Sequence, residues 1–119
     1  MGLPRRLRLR EAGRIREVMA HGRRVATPFG VVHVLPGETA HSRLCTAFAR
    51  RVGNAVARNR GRRRVQELFR GWEPRWRGAW DVVFRARRDI VAADGHALAG
   101  ALEELMMRAG ALEAVSDGR

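Results

Sequence analysis

The chain contains no lysine and no tyrosine, a single cysteine, and no apolar run long enough to span a bilayer. Each absence removes a class of protein. One cysteine, Cys45, cannot form an intramolecular disulfide framework, and its apolar setting marks it as a small packed residue. The start of the chain is positive, but no apolar stretch follows, so it does not read as a secretory signal. A basic chain bound to a membrane surface needs an insertion face beside its charge, and none is evident. The expectation is a soluble, cytoplasmic protein with no membrane partner. His21, His33, His41 and His96 are scattered, without metal-ligand spacing or an obvious carboxylate partner, and no phosphate-cradling glycine loop is present. Glu103-Glu104 and Asp89 with Asp94 read as solvated helix charges. No catalytic residue, metal site or protein-bound cofactor is expected on the chain itself.

Acidic residues are missing where basic ones are densest. Arg50 to Arg64 holds seven arginines in fifteen residues and no carboxylate. Guanidinium groups at that density need water or a polyanion, because burying an unpaired one is prohibitively costly. Next come Val65, Leu68, Phe69 and Trp72, spaced i, i+3, i+4, i+7 as on one face of an amphipathic helix. At 100° per residue, Asn59, Arg63, Gln66 and Arg70 share the opposite face and Arg60 and Arg62 flank them. Arg58 and Arg64 fall at the edges of the apolar stripe, where their stems can run along the core. Gly61 falls on the stripe itself, at a cost of about 1 kcal/mol in helix propensity, unless another backbone passes close by. A rigid basic comb of this kind is the physical form of a nucleic-acid reader.

With 119 residues, 45% of them hydrophobic, the chain reads as one domain, 1–119, with a real core. All 24 basic residues are arginines and the net charge is +12, unevenly spread. Residues 1–88 carry 22 arginines against six acids, whereas residues 89–119 carry two against six. The basic part is therefore the functional surface and the C-terminal part a packing element. Residues 1–10 are expected as a basic arm that orders on nucleic acid. A helix over 11–21, with Ile15, Val18 and Met19 inward, stops at Gly22. Thr27-Pro28 is a break, and Val31 to Leu35 a strand closed by the Pro36-Gly37 turn. A strand over 43–50 puts Leu44, Thr46 and Phe48 on one face and Arg43, Cys45, Ala47 and Ala49 on the other. Asn54 caps the basic helix over 55–72. Trp80 to Ala86 forms a strand, and Asp94 caps a helix over 95–109 that buries Leu98, Leu102, Leu105 and Met106. Trp72 and Trp80 close the core, Trp76 is expected at the surface, and 111–119 is expected to fray. The class is α+β, a two-layer sandwich.

The run Arg51-Val52-Gly53-Asn54-Ala55-Val56-Ala57-Arg58-Asn59-Arg60, followed after Gly61 by Arg62-Arg63, resembles the signature of the bacterial ribonuclease P protein subunit. The first helix ending His21-Gly22, the strand at 43–50 and the Asp81-Val82-Val83 strand ending Ala86-Arg87 extend the resemblance over most of the chain. The resemblance implies a small mixed sheet with helices, in the order αβββαβα, and a further short strand near 24–26. It also implies a left-handed βαβ crossover around the basic helix, against the usual hand. The activity implied is accessory: a subunit of the endoribonuclease that removes 5′ leaders from precursor tRNA. The reacting groups and magnesium ions are expected on the RNA subunit. The implied RNA-docking residues are Arg50, Arg51, Arg58, Asn59, Arg60, Arg62 and Arg63. The implied leader cleft is lined by Ile15, Met19, His33, Ala47, Ala49 and Arg51. The implied partners are ribonuclease P RNA and precursor tRNA, with no obligate protein partner. Aromatics are frequent in the family where Ile15, Met19 and His33 stand, and small hydroxyl residues where Ala47 and Ala49 stand. Base stacking in this cleft is therefore expected to be weaker. The alternative reading is a structural rRNA-binding protein of the ribosome.

Overall fold

Alternating β-branched residues build the centre of the molecule, which a computed structural model describes over residues 2–114. Strand β1 is Arg23–Thr27, β2 Gly30–Pro36, β3 Arg43–Ala47 and β4 Trp80–Ala86. They form one sheet in the order β1-β2-β4-β3. The β1–β2 and β2–β4 pairs are antiparallel, whereas β3 and β4 are parallel. A parallel pair needs a long crossover, and helix α2, Ala55–Gly71, supplies it. Helix α1 is Ala12–His21 and α3 is Gly95–Arg108. The order αβββαβα and the short strand before Thr27 agree with expectation.

The period of two along the strands divides the interior. Val32, Val34, Leu44, Val82 and Phe84 pack with Val65 and Phe69 of α2 and with Leu98, Leu102, Leu105 and Met106 of α3. Val83 faces the other way, towards Val18 of α1 and Leu9, with Ile15, Met19, Leu35 and Cys45 at the margin. The sheet with α2 and α3 is the two-layer sandwich, and α1 adds a partial layer on its second face. Asp94 accepts from Ala97 N, capping α3 as its position suggested.

Several boundaries differ from the sequence reading, each for a packing reason. Residues 3–10 are not a free arm, because Leu3, Leu7 and Leu9 are buried and Leu9 N donates to Leu44 O at 3.0 Å. Met1 lies outside the described residues. The expected fraying does not begin at 111: Ala111 and Leu112 are buried, and Arg77 N donates to Ala111 O at 2.8 Å. Residues 115–119 lie outside the described residues. Strand β3 ends at Ala47, short of the expected Arg50. A 3-10 turn at Arg50–Val52 follows and drives Val52 into the core. Gly22 ends α1 at an ordinary negative φ of −73°, so left-handed backbone is not its reason. A Cβ there would collide with the Val18 carbonyl and lie 2.9 Å from that of Val34. Trp76 is half-buried, its ring 5.2 Å from Phe69 and 6.0 Å from Trp72. At Gly61 a ring takes the place of the backbone that the sequence reading had invoked: a Cβ would come within 2.7 Å of Phe48.

Candidate nucleic-acid interface

Helix α2 begins where Asn54 Oδ1 accepts from Ala57 N at 2.8 Å, satisfying one of the orphan donors of the first turn. Its underside is fixed by Gly61, Val65 and Phe69, all buried. The basic residues are therefore held by a rod rather than by a loop. Arg50, Arg51, Asn59, Arg60 and Arg63 are exposed, and Arg58 and Arg62 are half-buried. The edge positions behave as the helical geometry predicts. Arg58 donates to Gly53 O at 2.7 Å, and Arg64 reaches along the core to Ala93 O at 2.6 Å. Arg62 lies over the Phe48 ring, 5.4 Å from its centroid, and donates to Asn59 Oδ1 at 2.9 Å. Among the described residues no ion pair involves any arginine between 50 and 64. Within the described residues the charge of the comb is left unpaired.

The predicted cleft residues gather on the α1 side of the sheet, with two outliers. Ile15 and Met19 pack at the margin of the cluster centred on Val83. His33 on β2 and Cys45 on β3 each stand opposite Val83, and Ala47 stands opposite Arg85 two pairs further along, on the same face. Ala49 and Arg51 lie beyond the end of β3, exposed at the 3-10 turn. His33 is 4% exposed, and neither ring nitrogen has a hydrogen-bond partner among the described residues. Burial, and then the charges of Arg85 and Arg24, push its pKa below the usual histidine value, so the imidazole is neutral at pH 7. Burial also pushes the Cys45 thiol up, which keeps it a packing group.

Sequence reasoning missed the clamp that positions this face. Asp81 is fully buried and takes three charge-assisted hydrogen bonds. Two come from Arg43, at 3.0 Å each, and one from Arg14 of α1, at 2.8 Å. Glu11 lies 3.2 Å from Arg43 and Glu38 3.6 Å from Arg14, so the bridge ties α1 to β3 and β4. The available signal was an aspartate at the second position of a strand, directly before the apolar run Val82-Val83-Phe84, where a carboxylate requires a cationic partner. Arg24 and Arg85, which flank His33, were missed as well. Among the described residues no three His, Cys, Asp or Glu side chains gather as a metal site, and no helix is long and apolar enough to cross a membrane.

Comparison with known proteins agrees with this fold. The Ribonuclease P family model matches residues 3–110. The ribonuclease P protein component of Symbiobacterium thermophilum is 37% identical over 107 residues, covering 89% of this chain and 93% of that protein. The component from Chloroflexus aurantiacus is 40% identical over 83 residues, covering 70% and 62%. The solved RNase P protein from Thermotoga maritima has a TM-score of 0.75 at 25% identity, covering 85% of this chain and 96% of that one. The Staphylococcus aureus RNase P protein shares the fold, with a TM-score of 0.80 and coverage of 90% and 98%. These matches favour the ribonuclease P reading over a ribosomal one. Motif, element order and matched span coincide, and the chain belongs to the bacterial ribonuclease P protein family.

Proposed function

We propose that this chain serves ribonuclease P by docking on the catalytic RNA through α2 and by holding the 5′ leader of precursor tRNA on the sheet face beside α1. The observation that carries the reading is the set of arginines on a capped, anchored helix, none of them in an ion pair among the described residues. Arg58, Arg60, Arg62 and Arg63, with Arg50 and Arg51 at the entry, would meet phosphates, and Asn59 a further polar group of the RNA. The protein contributes no reacting group; the magnesium ions and the hydrolytic step belong to the RNA subunit. Its work is to lower the repulsion between two polyanions and to bind leader-bearing substrate more tightly than mature product.

The cleft would favour shape and charge over stacking. Ala47 and Ala49 are exposed and small, leaving room for a single strand, and Arg51 supplies positive charge at the exit. If about five arginines of α2 and its entry meet phosphate, these contacts alone contribute a slope near −4 to the fall of log K with log salt. Through them affinity drops a few hundred-fold between roughly 50 and 200 mM salt. The decisive experiment adds the chain to its cognate ribonuclease P RNA at limiting magnesium. The expected result is cleavage at lower magnesium and a preference for substrates bearing a leader. Unchanged magnesium dependence and no leader preference would refute the reading.

A further inference from the structure

Residues 3–10 wrap around the β3 edge of the sheet. Leu3 and Leu7 enter the core shared with α2 and α3, and Leu9 enters the cluster beneath α1. Between them Arg8 bridges Leu44 in parallel fashion, so the segment is held by backbone as well as by side chains. With the leucines turned inward, Arg5, Arg6, Arg8 and Arg10 are turned out and exposed. They meet the loop after β2 around a recess of about 350 Å³ that Thr39, His41 and Arg43 complete. One carboxylate, Glu11, also lines it, and it sits 3.2 Å from Arg43, itself tied to Asp81. Arg8 Nε donates to Leu3 O at 2.7 Å, whereas Arg5, Arg6 and Arg10 have no side-chain hydrogen bond or ion pair among the described residues. This is the electrostatic condition of α2, repeated elsewhere: guanidinium groups fixed by a buried framework and, among the described residues, in no ion pair.

A second recess of mixed charge joins the two regions. It is lined by Arg6 and Leu7 from the N-terminal segment and by Glu67, Arg70 and Glu73 at the far end of α2. Arg70 is exposed and shares the face of Asn59, Arg63 and Gln66. The exposed face of α2 therefore runs on to Arg6 and the recess. The cleft positions Ala47, Ala49 and Arg51 lie towards the other end of β3 from Leu44, where the N-terminal segment bridges. Guanidinium forks match phosphate oxygens. The leucines of this segment, the residues a lipid surface would take up, are buried in the protein.

We propose that the recess formed by Arg5, Arg6, Arg8 and Arg10 is a second docking site for the ribonuclease P RNA, binding its phosphate backbone beyond the C-terminal end of α2. The proposal rests on the docking function proposed above. The test is binding of the full chain to ribonuclease P RNA across a salt series. Four proteins are compared: wild type, the triple variant Arg5→Gln/Arg6→Gln/Arg10→Gln, the same three positions changed to lysine, and Arg60→Ala/Arg63→Ala. Arg8 is kept because it holds Leu3. The glutamine triple is expected to melt like wild type, while its log K against log salt is shallower by about three, near one per lost phosphate contact. The lysine triple keeps the steep slope.

A glutamine triple with the wild-type slope overturns the recess as a docking site. So does a lysine triple that loses as much as the glutamine one, since charge would then not be the cause. A loss confined to precursor tRNA binding by the assembled enzyme, with RNA-subunit binding intact, overturns the assignment to the RNA subunit. A wild-type slope near zero removes the docking function itself. A steep wild-type slope that Arg60→Ala/Arg63→Ala reduces and the glutamine triple does not removes the recess alone.

Discussion

Arg14 and Arg43 spend their charge inside the protein, whereas Arg60 and Arg63 keep theirs for something outside it. The first pair converges on a fully buried carboxylate, Asp81, and fastens α1 to the sheet. The second pair stands on α2, exposed and without an ion pair among the described residues. The residue type is the same in both places, and the difference lies in where the carboxylates are. Residues 50–64 contain none, while Asp81 is delivered by the strand that forms the centre of the sheet. An excess of arginine therefore says little about function until each guanidinium is matched, or fails to be matched, with an acid.

The comparison can be broken by exchanging the roles. Asp81→Ala strands two cations against an apolar strand, and removing one partner of a buried pair typically costs about 3–5 kcal/mol. Chemical denaturation should show a loss of that size, with RNA affinity per folded molecule little changed. A loss below about 1 kcal/mol would mean that Arg14 and Arg43 are sufficiently served by Glu11, Glu17 and Glu38. The double variant Arg60→Ala/Arg63→Ala should do the reverse. Its stability should stay within about 0.5 kcal/mol of wild type per site, while the salt slope for RNA binding becomes shallower by about two. If it unfolds the protein as Asp81→Ala does, the division between structural and functional arginines fails. Asn54→Ala sharpens the boundary between them. It removes the cap that starts the comb, at about 1 kcal/mol by denaturation.

Much of this was legible because local chemistry dictated it. Asn54 and Asp94 cap helices at the positions their spacing suggested, since each offers an oxygen to a donor three residues on. The apolar faces of α2 and α3 followed from a period of 3.6, and the faces of β3 from a period of two. What stayed hidden depended on contacts distant in sequence. Leu3, Leu7 and Leu9 alternate with arginine whether or not anything receives them, and only the β3 edge and its neighbours turn the segment from an arm into a strap. Gly61 looked like a weak helix position until the Phe48 ring filled the gap beside it. The Asp81 clamp joins residues 38 and 67 apart in sequence, beyond the reach of any local pattern.

The smallest expected effect concerns His33, which lies between the two classes: an inward polar side chain with cations beside it and no acid. It stands opposite Arg24 on β1, while Arg85 lies on β4, and both rows belong to the cleft face. Burial, reinforced by Arg85 and Arg24, depresses its folded pKa below the usual 6.5. Above about pH 6.5 neither folded nor unfolded chain binds the proton, and the group adds no pH dependence. As pH falls through that value the unfolded chain takes up a proton that the folded chain resists, so stability falls. His33→Leu should flatten the part of the stability profile between about pH 7 and 5. It should be neutral or slightly stabilising at pH 7, because two unpartnered nitrogens disappear. The same variant separates packing from recognition. If a ring nitrogen meets the leader, His33→Leu should weaken leader-bearing precursor more than mature tRNA, whereas equal affinities alongside the flattened profile would leave His33 with a packing role alone.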